Sequence, residues 1–415
     1  MHFGKVSRGL FGLLAILAGA SAMAADTIKI GFMDPLSGPF ANVGEHGVRE
    51  MALVIEAVNA AGGVLGGQKF ELESFDSKSS PQEALISLKQ ITDKGIRYFF
   101  MGNGSNVAIA LSDGVSKHNA RNPEQTVLFL NYGAVDPSLT NDKCSFWHFR
   151  FDADTEMKMQ ALTNYMTHEK GIKKVYLINQ DYAFGQGVSR SAKAMLAQKR
   201  PDVEIVGDDL HPVGKVKDFA PYISKIKASG ADSVITGNWG PDLSLLVKAA
   251  KESGLKVDFF TYYAGIVGSP TAIGQAGEDV RQVGMWHNNV GDAGSNKLVE
   301  AYRKRYPDSK DDFFFLSLQN GIEMLAKAMN QAKSTDPVKV AKALEGMKYT
   351  GVTGEVEMRA DNHELLQPLF ISSFVKSGSK GAKYDVERTG MGFKTEGRVE
   401  AKDTALPTTC KMERP

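Results

Sequence analysis

Cysteine and tryptophan are scarce here: two cysteines and three tryptophans in 415 residues. Two cysteines as far apart as Cys144 and Cys410 cannot build a cystine-framework fold, and nothing near either has the ligand spacing of a metal site. Net charge is also nearly absent. Lys and Arg total 49 against 48 Asp and Glu, so no bulk field favours nucleic acid or anionic lipid as a partner. Beyond the first residues no apolar run is long enough to span a bilayer. Catalytic signatures are missing too: no H-E-x-x-H helix, no G-x-S-x-G elbow after the leader, no G-x-x-x-x-G-K-[ST] loop. Gly102-x-Gly104 is no dinucleotide fingerprint, because Val107 stands where the third glycine belongs. The eight histidines are scattered, and no carboxylate pair can be assigned to catalysis. The chain is therefore not read as an enzyme, and no cofactor or metal is implied.

The N-terminus carries the first positive signal. Lys5 and Arg8 precede the apolar run Leu10–Ala20, and Ala22-Met23-Ala24 is an A-x-A cleavage pattern. Residues 1–25 read as a secretory signal peptide, cut after Ala24 or Ala25. No cysteine near the cut suggests a lipid anchor. The expected product is soluble and exported, most simply to a bacterial periplasm. In that oxidising compartment an even pair of cysteines most often forms a disulfide.

The remaining length exceeds one ordinary core and suggests two lobes. Strand-like runs alternate with helical patterns. Strands are expected at Ile28–Met33, Phe70–Phe75, Tyr98–Gly102 and Val127–Asn131, with helices over Pro81–Asp93 and Ser105–His118. Phe146–Phe151 reads as a crossing strand, with Arg150 paired structurally. A second series follows from Lys174–Asn179 to Val257–Tyr262. Such alternation gives parallel sheets with right-handed crossovers. The expected class is α/β, with two doubly wound, Rossmann-like lobes.

Four pieces of the opening carry a resemblance: the strand Ile28–Met33, the loop LSGPFANVG from Leu36, the helix end VNAAGGVLGG, and FELESFDSKSSPQEA from Phe70. Together they resemble the N-terminus of the branched-chain amino acid (Leu/Ile/Val) binding proteins of ABC importers, the type I periplasmic binding proteins. The resemblance continues weakly through nearly all the mature chain. It implies a three-segment hinge between the lobes. Lobe 1 is expected over 26–150 plus about 288–360, lobe 2 over 151–287 plus about 361–380, and a C-terminal tail over 381–415. It also implies a Cys144–Cys410 bond, which some aromatic-acid-binding relatives share. Its functional expectation is a monomeric solute-binding component that closes on a small carboxylate and hands it to an inner-membrane ABC permease. A ligand-sensing subunit for a receptor is the alternative on the same fold.

Candidate site residues lie in loops that end strands, where open α/β sheets bind ligands. Asn103, Gly104, Ser105 and Asn106 put a flexible turn, a hydroxyl, an amide and free N–H groups at a helix start, which suits a carboxylate. Ser105 is equally well an ordinary N-cap. Tyr132, Gly133, Ala134 and Val135 form the next turn. There Val135 replaces the family's threonine, leaving the amides of 133–135 as donors. Tyr182 and Phe184 open a second-lobe helix, with Phe184 where the family has tyrosine. Asn238 and Trp239 follow a buried strand, and Phe40, Phe313 and Phe314 are weaker cleft candidates. Ala264 stands near the family's glutamate, the partner of a ligand ammonium. That loss turns the expectation toward an aromatic or hydrophobic acid, with a branched-chain or other amino acid as the alternative. Asp181 or Asp242 remains a possible substitute for the lost charge.

Overall fold

The computed structural model describes residues 27–291 and 293–415, with Met1, His2 and Gly4. The signal peptide otherwise falls outside the described residues. Strand β1 (Ile28–Asp34) leads through helix α1 (Ala41–Ala60) to β2 (Phe70–Asp76), then α2 (Pro81–Asp93), β3 (Tyr98–Met101), α3 (Ser105–Arg121), β4 (Leu128–Asn131) and β5 (His148–Arg150). These strands pair in parallel in the order β2-β1-β3-β4-β5. The four residues of β3, Tyr98-Phe99-Phe100-Met101, are all buried. A parallel strand covered by helices on both faces needs such an unbroken apolar run. Helix α2 starts where Ser80 accepts a bond from the Glu83 amide and Pro81 occupies the first turn.

The chain then crosses to a second sheet: α4 (Thr155–Met166), β6 (Lys174–Gln180), α5 (Ala183–Lys199), β7 (Glu204–His211), α6 (Ala220–Ser229), β8 (Ser233–Thr236), α7 (Pro241–Glu252), β9 (Asp258–Thr261), α8 (Ser269–Ile273) and β10 (Arg281–Gly284). It returns to the first lobe as α9 (Ala293–Arg305), α10 (Leu316–Ala332) and α11 (Pro337–Leu344). A small sheet follows: β11 (Lys348–Gly351), β12 (Gly354–Met358) and β13 (Leu365–Leu366). A last passage adds β14 (Leu369–Lys376) and β15 (Met391–Val399) to the second sheet, whose order is β15-β14-β10-β9-β8-β6-β7.

Residues 381–415 are thus not all tail, because β15 pairs antiparallel with β14. Its outer face is solvated. Lys394 pairs with Glu396 there, and Arg398 with Glu400. The end of the chain is tied down by the Cys144–Cys410 disulfide.

Arg150 fastens the crossings. It is fully buried, donates to Glu364 Oε2 at 2.5 Å and to the Asp136 carbonyl at 2.6 Å, and pairs with Asp154 at 3.2 Å. Gln367 donates to the Phe151 carbonyl at 2.7 Å, so the first and third crossings run side by side.

Candidate ligand-binding site

The loops after β1, β3 and β4 face the loops after β6, β8, β9 and β10 across a cleft. Between them lies a cavity of about 50 Å³. One water needs about 10–15 Å³ on the same measure, so a compact organic guest fits.

The first-lobe wall is built on β1 and β3. Asp34, at the end of β1, accepts from the Asn103 amide and Asn103 Nδ2, both at 2.9 Å, and from the Tyr132 hydroxyl. Burial raises the Asp34 carboxyl to about 6, against the pull of these donors. The turn they fix must be glycine. A Cβ on Gly102 would lie 2.7 Å from the Tyr132 ring, and Gly104 has φ +108°. Helix α3 then opens at Ser105 with no side-chain cap. The Ser105 and Asn106 amides therefore have no intrahelical partner, and the helix end is favourable for an anion.

Asn103, Gly104, Ser105, Gly133, Ala134 and Val135 line the cavity from this side. Asn106 lies off the wall and is exposed. Tyr132 stands behind it, fully buried. The expected amide donors of the second turn need correction. The Gly133 and Ala134 N–H groups donate to Asn131 Oδ1 at 3.1 and 2.8 Å, so only Val135 keeps one to offer. The short Asn131 side chain makes this local turn, a competition that Asn wins routinely.

The second-lobe wall is aromatic. Tyr182, Phe184 and Trp239 line it with Tyr262 and Tyr263. Phe184 meets Tyr262 and Tyr263 edge-on at 5.5 and 5.8 Å, and Trp239 Nε1 donates to the Tyr182 hydroxyl at 2.8 Å. Phe314, Phe315 and Trp286 add further ring surface.

Besides Asn106 and Tyr132, four candidates do not line the cavity. Asn238 is buried behind it, 3.1 Å from His211 Nε2. Ala264 packs into the second-lobe core beside Phe393, and its neighbour Tyr263 takes the wall instead. Phe313 lines a smaller neighbouring cavity with Trp286 and Phe393. Phe40 packs on the back of Trp239. Nor does either substitute charge reach the wall. Asp181 accepts from Gln186, and Asp242 accepts from Gln180 Nε2 and the Gly214 amide.

The charged groups that do reach it are Asp152 and Lys158. Both escaped the sequence reading. Lys158 falls on the buried face of α4 with Thr155 and Leu162, and a lysine at i+3 and i−4 of buried positions is the signal that marks it. Asp152 follows the crossing strand and carries no motif of its own.

The chain matches the family model described as periplasmic binding protein over residues 27–381. It is 31% identical over 407 residues to the Leu/Ile/Val-binding protein homolog 4 of Brucella melitensis biotype 1, covering 96% of each chain. The chain belongs to the periplasmic binding protein family. It is thus a periplasmic solute-binding protein of the ABC-transporter type, on the Leu/Ile/Val-binding branch. Proteins of this family bind solutes and are not enzymes. The fold of this binding protein matches the closed conformation of the leucine-, isoleucine-, valine-, threonine- and alanine-binding protein from Brucella ovis with TM-score 0.83, at 29% identity over 94% of this chain and 100% of that one. It also matches an ABC-transporter solute-binding protein from Rhodopseudomonas palustris BisB5, solved in complex with 3,4-dihydroxy benzoic acid. There the TM-score is 0.77, at 19% identity over 90% and 98% of the two chains.

Proposed function

We propose that this binding protein captures a small carboxylate with an aromatic or hydrophobic body and delivers it to an inner-membrane ABC permease. Its leader over residues 1–25 would be removed on export. The carboxylate would sit at the start of α3, against the Ser105 amide, and the apolar body against Phe184, Trp239 and Tyr262. Ligand contacts to both walls favour the closed arrangement, which is how a binding protein couples capture to closure.

The charge inventory of the cavity carries this reading. Its lone carboxylate among the described lining residues, Asp152, is already paired with Lys158 at 2.7 Å. An amino acid brings an ammonium, and a buried ammonium without its own anion is costly. A carboxylate without an ammonium needs only the free amides. The competing reading, a branched-chain amino acid, has the relatives' names behind it, and the fold accommodates either class.

Titration calorimetry on unfolded, ligand-stripped and refolded protein tests the choice. Benzoate, cinnamate, phenylacetate, leucine, valine and glutamate form the panel. Micromolar binding of at least one aromatic acid, with leucine tenfold weaker or silent, is the expected result. Tight leucine binding with silent aromatic acids overturns it.

A further inference from the structure

Lys158 Nζ donates to Asp152 Oδ2 at 2.7 Å and to the Tyr263 hydroxyl at 3.2 Å, and lies 4.7 Å from the centre of the Tyr263 ring. The Tyr263 hydroxyl is itself 3.4 Å from Asp152 Oδ2. These groups belong to the second-lobe side, across the cleft from the α3 start. The lysine is 1% exposed and the aspartate 3%. A buried acceptor without a donor costs free energy, and the structural Arg150–Glu364 pair also leaves one, Glu364 Oε1; what sets Asp152 and Lys158 apart is that both line the cavity. Here Asp152 Oδ1 is buried with no hydrogen-bond partner. Two more residues of the same lining carry a buried polar atom with no partner, Trp286 at its indole Nε1 and Ser317 at Oγ. An ammonium has three hydrogens and Lys158 uses two. The residues around the cavity thus carry an unused charged acceptor, an unused indole donor, an unused hydroxyl and a spare ammonium hydrogen.

A guest group that satisfies Asp152 Oδ1 must donate a hydrogen. A second ammonium would put two cations on one buried carboxylate and weaken the hold on Lys158. An uncharged hydroxyl donates one hydrogen, accepts another, and leaves the ion pair neutral. Burial pushes the Asp152 carboxyl up and the Lys158 ammonium down, each partly offset by the other, so neither tolerates an extra charge.

We propose that Asp152 and Lys158 form a subsite for an uncharged hydroxyl on the ligand, remote from its carboxylate, and so select hydroxylated over unsubstituted acids and reject cationic ones. This rests on the carboxylate reading above and adds the second recognition element.

The test compares ligands that differ by one group, by calorimetry on the refolded full mature chain: benzoate with 4-hydroxybenzoate and 4-(aminomethyl)benzoate, and cinnamate with 4-hydroxycinnamate. The hydroxylated member of at least one pair is expected to bind about tenfold or more tighter, the size of a hydrogen bond to a charged group. The aminomethyl acid is expected to bind more weakly than benzoate. In Asp152→Asn/Lys158→Met, which removes both charges together, the hydroxyl advantage should fall to about twofold or less while the parent acid still binds. If parent acids bind and the hydroxyl adds nothing, or if the double variant keeps the preference, the subsite is wrong and the carboxylate reading stands. If every aromatic acid is silent and leucine binds, both fall. The wild-type comparison decides even if the double variant does not fold.

Discussion

The ring of Phe40 packs 4.1 Å, centre to centre, from the indole of Trp239, and the two residues belong to opposite lobes. Phe40 comes from the loop after β1, and Trp239 from the loop after β8. The phenyl ring fills a socket that two glycines leave open. A Cβ on Gly214 would lie 3.1 Å from it and one on Gly240 3.3 Å. Asp242 holds the socket's shape by accepting from the Gly214 amide at 2.8 Å. Phe40 is 3% exposed, yet it never reaches the cavity. It therefore joins the two lobes from outside the cavity.

Phe40→Ala should leave every cavity wall intact and open the protein. Burying a phenylalanine is worth about 1.5–3 kcal/mol, so affinity for the cognate ligand should drop roughly 10- to 100-fold. Most of the change should appear as faster release. Stopped-flow tryptophan fluorescence measures this directly, because Trp239 and Trp286 both line the cavity. Unchanged release rates would mean the contact plays no part in closure.

The architecture was largely legible in the sequence and the polar site was not. Runs such as Tyr98–Met101 and the glycines at 102 and 104 announce strands and turns through local chemistry alone. By contrast, Lys158 meets Tyr263 across 105 residues of chain. Asp152 looks like any loop aspartate until the fold buries it. The claim of Gly133 and Ala134 on Asn131 was local, but it competes with ligand binding for the same amides, and only geometry settles such a competition. Strand β15 was hidden for another reason: an edge strand with a charged outer face lacks the apolar run that marks a buried strand, and it fell within the expected tail.

Gly104→Ala tests the anion end of the cavity. With φ at +108° the position suits glycine, and forcing a side chain into such a region costs on the order of 1–3 kcal/mol. The strain would tilt the start of α3 and misplace the Ser105 amide. The expected outcome is at least tenfold weaker binding of any carboxylate, with a modest fall in melting temperature. Ser105→Ala separates backbone from side chain. If it binds as tightly as the wild type while Gly104→Ala does not, the amide carries the recognition.

Alkaline pH should weaken the protein through His46. Burial would push this imidazole down, but the Glu50 carboxylate at 2.8 Å and Asp311 at 3.6 Å outweigh it and hold the group at about 9. The folded value lies above the ordinary 6.5. The contribution is then fully present below pH 6.5 and disappears as pH rises through 9, to a total on the order of 3 kcal/mol. Glu50 also accepts from the Phe314 and Phe315 amides, and those rings line the cavity. Denaturant unfolding across pH 6 to 10 should therefore show a fall in stability between about 6.5 and 9, accompanied by weaker binding. His46→Gln should flatten that slope. A pH-independent midpoint in the wild type would show that the ring is neutral.

Loss of the Cys144–Cys410 bond should cost stability and spare affinity. The bridge closes a loop with a sequence separation of 266 and ties the chain end to the segment that follows the second cavity turn. There Thr408 Oγ1 donates to the Thr140 carbonyl at 2.8 Å, and the Thr409 amide donates to Asn141 Oδ1 at 3.0 Å. Thr140 also accepts from Arg150, the residue that fastens the crossings. Removing a native disulfide typically costs about 2–5 kcal/mol. Cys144→Ser/Cys410→Ser should therefore unfold at clearly lower denaturant. Among the described residues none beyond Ser317 lines the cavity, so the ligand's Kd at 25 °C should change by no more than about threefold. A large loss of affinity with intact folding would instead place the tail in the opening and closing of the lobes, acting through Thr140 and Arg150.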